Sequence, residues 1–131
     1  MIWEPDLTTE SGMDADERAV FRALYPAHVG RAKAIDRDAL AAEVRIPDRR
    51  LRTVLDILIE AHRIPIGSST RPPYGYFIID TPEEAAEVYR MLRAYGLSAL
   101  ARMAAVSRIV ADTDRRRIQC ELPLKAEVFR A

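Results

Sequence analysis

The stretch DRDALAAEVRIPDRRLRTVLDILIEAHRIPIGSSTRPPYGYFII, residues 36–79, decides the fold. It opens on Asp36, whose carboxylate can accept from the free N–H groups of a helix start; Ala39, Leu40, Ala42 and Val44 follow as candidate buried positions of a short helix. Ile46-Pro47-Asp48 breaks that helix, because a proline ring disfavours helical geometry at the residue before it. Asp48 is suited to cap a second helix, expected from about Arg49 to His62, with Leu51, Val54 or Leu55, Leu58 and Ala61 or His62 facing inward. The period then changes. Arg63–Gly67 and Gly75–Ile79 read as two short strands, the second rich in aromatic and β-branched residues, joined by the polar, proline-containing loop 68–74.

Upstream, Asp14 with Glu17 three residues later has the spacing of a capping box, and Ala19, Val20, Ala23 and Leu24 give a helical apolar stripe that Pro26 and Gly30 end. The segment 27–35 is expected as a loop, and residues 1–13 as a flexible acidic arm without periodicity. Downstream, Thr81-Pro82-Glu83-Glu84 combines an N-cap, a proline at the first helical position and a glutamate at the third. The helix that follows, to about Val110 within a segment 81–111, would be about 40 Å long. Ala85, Tyr89, Leu92, Gly96, Ala99, Met103, Val106 and Val110 alternate steps of four and three along it, a heptad-like seam. A helix of that length needs a second surface for its seam, so Tyr89, Leu92, Gly96, Ala99, Met103 and Val106 are expected to form a homodimer contact. Residues 112–131 are expected as a C-terminal tail, with Ile118–Leu124 either a strand or ordered tail.

Hydrophobic residues make up 49% of the chain and charged residues 31%, as in an ordinary globular protein rather than a disordered one. No run of residues is apolar enough for a membrane span, the acidic start lacks the features of a signal peptide, and Cys120 is the lone cysteine, so a reducing cytoplasm is expected. The net charge of zero is unevenly spread: six acids and no base in residues 1–17, eleven bases against six acids in 18–79, and nine bases against eight acids in 80–131. A polyanion partner is therefore indicated locally, by the central segment.

Short helix, three-to-four-residue turn and second helix make a helix-turn-helix unit, and two strands after it describe a wing. A reader of duplex DNA needs basic side chains on the leading turn of a rigid element, and cations set against flanking phosphates. Arg49, Arg50, Arg52 and Thr53 occupy that leading turn, and Arg45 precedes it. Arg71 stands on the wing, while Lys33 and Arg37 lie near the first helix of the unit as phosphate clamps. The opposing readings are plain ones. A charge run is most often a solvated helix surface, Tyr74 and Tyr76 can pack a wing as well as stack on bases, and Arg115–Arg117 suit a helix C-terminus for dipole reasons.

The run from Ile35 to Glu84 resembles the small winged helix-turn-helix DNA-binding proteins of bacteria and their phages. The matching pieces are Pro65-Ile66-Gly67-Ser68-Ser69 and Gly75-Tyr76-Phe77-Ile78. Two departures are an extra Arg71-Pro72-Pro73 in the loop, and His62-Arg63 where a glycine commonly precedes the first strand. The resemblance implies a mainly α fold with a small β-hairpin (α+β), a winged helix-turn-helix over 14–80 followed by a long C-terminal helix. It implies double-stranded DNA binding, as a transcription regulator or a phage or prophage replication or maintenance factor. The alternative is a phage-type protein-interaction module, an inhibitor or adaptor, on the same scaffold. No metal, cofactor or catalytic role is expected: His28 and His62 have no ligand partners at suitable spacing, and the paired acids Asp36/Asp38 and Glu83/Glu84 sit at helix starts, where acids cap.

Overall fold

A computed structural model describes residues 2–121, with side chains through Asp112. It is mainly helical, with helices α1 (Ala15–Leu24), α2 (Arg37–Val44), α3 (Asp48–Glu60) and α4 (Pro82–Glu121), and strands β1 (Ile66–Ser69) and β2 (Gly75–Ile78) in a two-stranded antiparallel sheet. The chain divides into two compact units, one ending at Arg90 and the other beginning at Met91.

In the first unit α1, α2 and α3 pack on one another. Asp14 caps α1 by accepting the Glu17 N–H at 2.8 Å. The reciprocal half of the expected capping box is absent, because the buried Glu17 carboxylate turns to His62 Nε2, 2.8 Å away. That bond ties the start of α1 to the residues following α3. Asp36 caps α2 as expected, accepting from the N–H groups of Asp38 and Ala39. Leu40 alone of the four expected α2 positions is fully buried; Val44 is half-buried and Ala39 and Ala42 are exposed. An eight-residue helix makes little more than two turns, so few of its positions face the core.

The break between α2 and α3 is built from Arg45, whose left-handed backbone (φ 57°) ends α2, and Ile46, whose N–H returns to the Ala41 carbonyl at 3.2 Å while its side chain enters the core. α3 begins one residue earlier than expected. Pro47 occupies the cap position, so Asp48 is the first helical residue and its carboxylate is free for other partners. Leu51, Val54, Leu55 and Leu58 are all buried, each contributing about 1.5–3 kcal/mol. α3 stops at Glu60, leaving Ala61 exposed, and Arg63 takes the left-handed conformation (φ 56°).

The strands are shifted from their expected bounds. Pro65 has no N–H to give a ladder and Arg63 is left-handed, so β1 starts at Ile66, and pairing in register Ile66↔Ile78 through Ser69↔Gly75 leaves a loop of residues 70–74. The segment 27–35, expected as loop, adds a further edge to β2. Gly30 N donates to Ile78 O, Ile78 N to His28 O, and Ile35 and Tyr76 exchange two bonds of 2.9 and 2.8 Å. Gly75 permits this approach: its φ is +124°, and a Cβ there would lie 1.9 Å from the Ile35 carbonyl oxygen. Phe77, Ile79 and Val88 form a second, smaller core between the sheet and the start of α4.

Residues 2–13, expected as an arm, contain no helix or strand but lie against this unit. Ile2 N donates to Asp80 O at 2.9 Å, Trp3 meets Phe21 and Tyr25 edge-on, and Glu10 pairs with Arg18 and Arg22. The start of α4 carries the expected box. Thr81 Oγ1 accepts the Glu84 N–H at 3.2 Å, and Glu84 Oε1 accepts from Thr81 and, more closely, Asp80 (2.8 Å). α4 then runs beyond the expected end near Val110 to Glu121, so residues 118–121 are helical rather than strand or tail. No glycine or proline interrupts the sequence between Gly96 and Glu121. Residues 122–131 of the expected tail, and the side chains of Arg115–Arg117, lie outside the described residues. No described helix is long and apolar enough to cross a membrane.

Candidate nucleic-acid interface

With Leu51, Val54, Leu55 and Leu58 turned to the core, the helical period directs Arg49, Arg52, Thr53 and Asp56 outward together. Arg45, exposed at the end of α2, precedes this face. Arg45 and Arg49 make no ion pair among the described residues, and the Thr53 hydroxyl donates back to the Arg49 carbonyl at 3.3 Å. Lys33, exposed at the end of the 3₁₀ turn Arg31–Lys33, is likewise unpaired, and its carbonyl accepts from His28 Nδ1 at 2.7 Å.

The remaining cations already hold acids. Asp48 stands between Arg37 of α2 and Arg52 of its own helix: Arg37 Nε lies 2.8 Å from Asp48 Oδ1, and Arg52 Nε 3.4 Å from Asp48 Oδ2. The Arg37 N–H does not point along its line to the oxygen, so this close approach is an ion pair without a directed hydrogen bond. Arg50 lies off the outer face and turns to α1. Its Nε donates to Asp16 Oδ2 at 3.2 Å, and its terminal nitrogen is 3.5 Å from Asp14. The Glu17 backbone N–H and this guanidinium hold the Asp14 carboxyl below the usual carboxylate range. Arg71, in the hairpin loop, is drawn to α4, where it donates to Glu87 Oε1 at 2.6 Å.

Of the eight cations and hydroxyls expected to contact DNA, the structure gathers Arg37, Arg49, Arg52 and Thr53 along α3 and its partner helix. Arg50 is diverted to α1 and Arg71 to α4. Sequence reading missed the acids that make these choices: Asp16 and Glu87 lie far away in the chain and carry no local signature. It also missed Arg31, whose N–H donates to Glu84 Oε2 at 2.9 Å and whose guanidinium reaches the Pro72 carbonyl at 3.1 Å, organising the hairpin loop. Burial pushes the Glu84 carboxyl up, but the N–H groups of Arg31, Asp80 and Thr81, with the Arg31 charge, outweigh it and leave that carboxyl below the usual range. Tyr76 is half-buried against the main core while Tyr74 is exposed.

Among the described residues no three His, Cys, Asp or Glu side chains converge to hold a metal ion. A shallow cavity of about 250 Å³ lies between the start of α2 and the hairpin, lined by Asp36, Arg37, Asp38, Ser68, Tyr74 and Tyr76. Acids and a base line it together, and the Asp36 carboxylate already accepts the N–H groups of Asp38 and Ala39 there. Comparison with known proteins finds no family model, no curated protein and no solved structure that matches this chain.

Proposed function

We propose that the first unit is a winged helix-turn-helix that binds double-stranded DNA, with α3 entering the major groove. The observation that carries this reading is the outer face of α3, where Arg49, Arg52 and Thr53 stand side by side over a helix fixed from behind by four buried aliphatic residues. Arginine can pair bidentately with guanine O6 and N7, and threonine can contact phosphate or a thymine methyl. Arg49, at the start of α3, joins Arg45, Lys33 and Arg37 as a phosphate contact while Arg52 and Thr53 reach base edges, and Asp48 holds Arg37 and Arg52 in fixed positions, which lowers the entropy lost on docking. The β1–β2 hairpin is the wing, with Arg71 able to reach phosphate only by leaving Glu87. Such a protein would act in transcription regulation, or in replication or maintenance of a phage or prophage.

A second reading, a protein-interaction module such as a phage inhibitor or adaptor, draws support from the same ion pairs. Arg37, Arg50, Arg52 and Arg71 are all matched by acids, which weakens the pull on a polyanion. Fluorescence anisotropy with a mixed-sequence duplex at several salt concentrations separates the two. Binding that falls steeply with salt and is lost when Arg45, Arg49 and Arg52 become alanine supports the DNA reading. Absence of binding at low salt moves the assignment to the protein partner.

A further inference from the structure

We infer that the face of α4 centred on Gly96 and Ala99 is a self-association surface that docks on the same face of a second copy of this chain. The inference concerns residues 92–106 of the second unit and does not depend on DNA binding. Leu92, Tyr95 and Leu100 are 59%, 62% and 57% exposed, and Met103 and Val106 are exposed beside them. Together these five side chains present on the order of 500 Å² of largely apolar surface. A lone chain seldom leaves more than a few hundred Å² in one contiguous patch. Two such faces brought together would remove about 1,000 Å² from water, the lower bound for a specific interface.

The spacing selects a copy of the chain as occupant. Leu92, Gly96, Ala99, Met103 and Val106 recur at steps of four and three, the repeat by which one α-helix interlocks with another of the same repeat. A two-fold contact requires a self-matching patch of this kind. Gly96 gives an independent indication. A Cβ placed there would meet no atom within 4 Å, so among the described residues no packing calls for the glycine, although glycine weakens a helix interior. With Ala99 it makes a low point in the seam where a neighbouring helix can approach closely. From residue 94 to 101 the opposite face carries only Ala94, Leu97, Ser98 and Ala101, not the continuous charged strip of helices that lie on lipid.

Arg93 and Arg102 flank the seam, and no acid occurs between residues 88 and 111, so two copies bring like charges to the rim. Salt therefore strengthens this association, the reverse of its effect on DNA binding.

Analytical ultracentrifugation of the full chain without DNA, at low and high salt, tests the inference. Wild type should sediment at twice its 14.8 kDa mass and associate more tightly at high salt. Gly96→Gln and Leu100→Glu should each weaken the dimer by about tenfold or more without loss of helicity, whereas Leu97→Glu on the opposite face should not. Gly96→Gln is the decisive variant, since the single chain has room for the new side chain. A wild-type chain that stays monomeric to about 100 μM overturns the inference. So does a dimer indifferent to Gly96→Gln.

Discussion

Arg49 and Arg50 are neighbours in sequence with different roles in the fold, and substituting them one at a time separates polyanion contact from structural pairing. Arg49 is exposed on the outer face of α3 without an ion pair, whereas Arg50 is held by Asp16 at 3.2 Å. A cation that neutralises one phosphate releases about 0.9 of a counterion, so each lost contact lowers the slope of log K against log salt by about 0.9. Between 50 and 200 mM salt, a fourfold span, that corresponds to about a 3.5-fold change in relative affinity. Arg49→Ala should therefore flatten the slope by about 0.9 per copy and weaken binding most at low salt. Arg50→Ala should change the slope by less than about 0.3, because Arg50 must first leave Asp16 to reach a phosphate. Its cost should fall on folding stability instead, by about 0.2–1 kcal/mol, as for an exposed ion pair. The assay is anisotropy of a labelled duplex titrated at five or six salt concentrations, with urea unfolding of each variant alongside. If Arg50→Ala flattens the slope as much as Arg49→Ala, the division of the basic residues drawn from the ion pairs is wrong.

Gly75→Ala should destabilise the first unit by about 2–5 kcal/mol, combining positive-φ strain with loss of the two Ile35–Tyr76 hydrogen bonds; urea unfolding would show it as a lower midpoint. Arg63→Gly should be neutral or stabilising by up to about 1 kcal/mol, since a non-glycine residue there holds a left-handed backbone, and the thermal midpoint would rise or stay level. Glu84 has a lowered folded-state pKa, so its stabilisation is present above the ordinary glutamate value of about 4.3 and is lost as pH falls through the lowered one. Acid unfolding followed by circular dichroism should therefore be less steep in Glu84→Gln than in wild type across that range.

Local signals carried much of the architecture. Asp14, Asp36 and Thr81 mark helix starts because capping depends only on residues two or three positions apart. Leu51, Val54, Leu55 and Leu58 mark the inner face of α3 because its 3.6-residue period is written in the chain. The continuation of α4 past Val110 was equally a local matter, since no glycine or proline occurs between Gly96 and Glu121, and reading residues 112–121 as a separate tail passed over that signal. Long-range pairing was of another kind. The contact of the 28–35 segment with β2 depends on Gly75 meeting Ile35 forty residues away, and nothing near either residue announces it.

The same division runs through the basic residues. Sequence by itself determined that a cluster of arginines begins α3, and which of its positions a helical period would turn outward or inward. Only the tertiary structure decided which arginines stay available. The approach of α1 gives Arg50 to Asp16, the hairpin's place beside α4 gives Arg71 to Glu87, and the packing of α2 on α3 sets Asp48 between Arg37 and Arg52. The physical reason is range. Capping and periodicity act within a turn or two of the chain, whereas the partner of a charge is whatever the folded chain brings within about 4 Å of it.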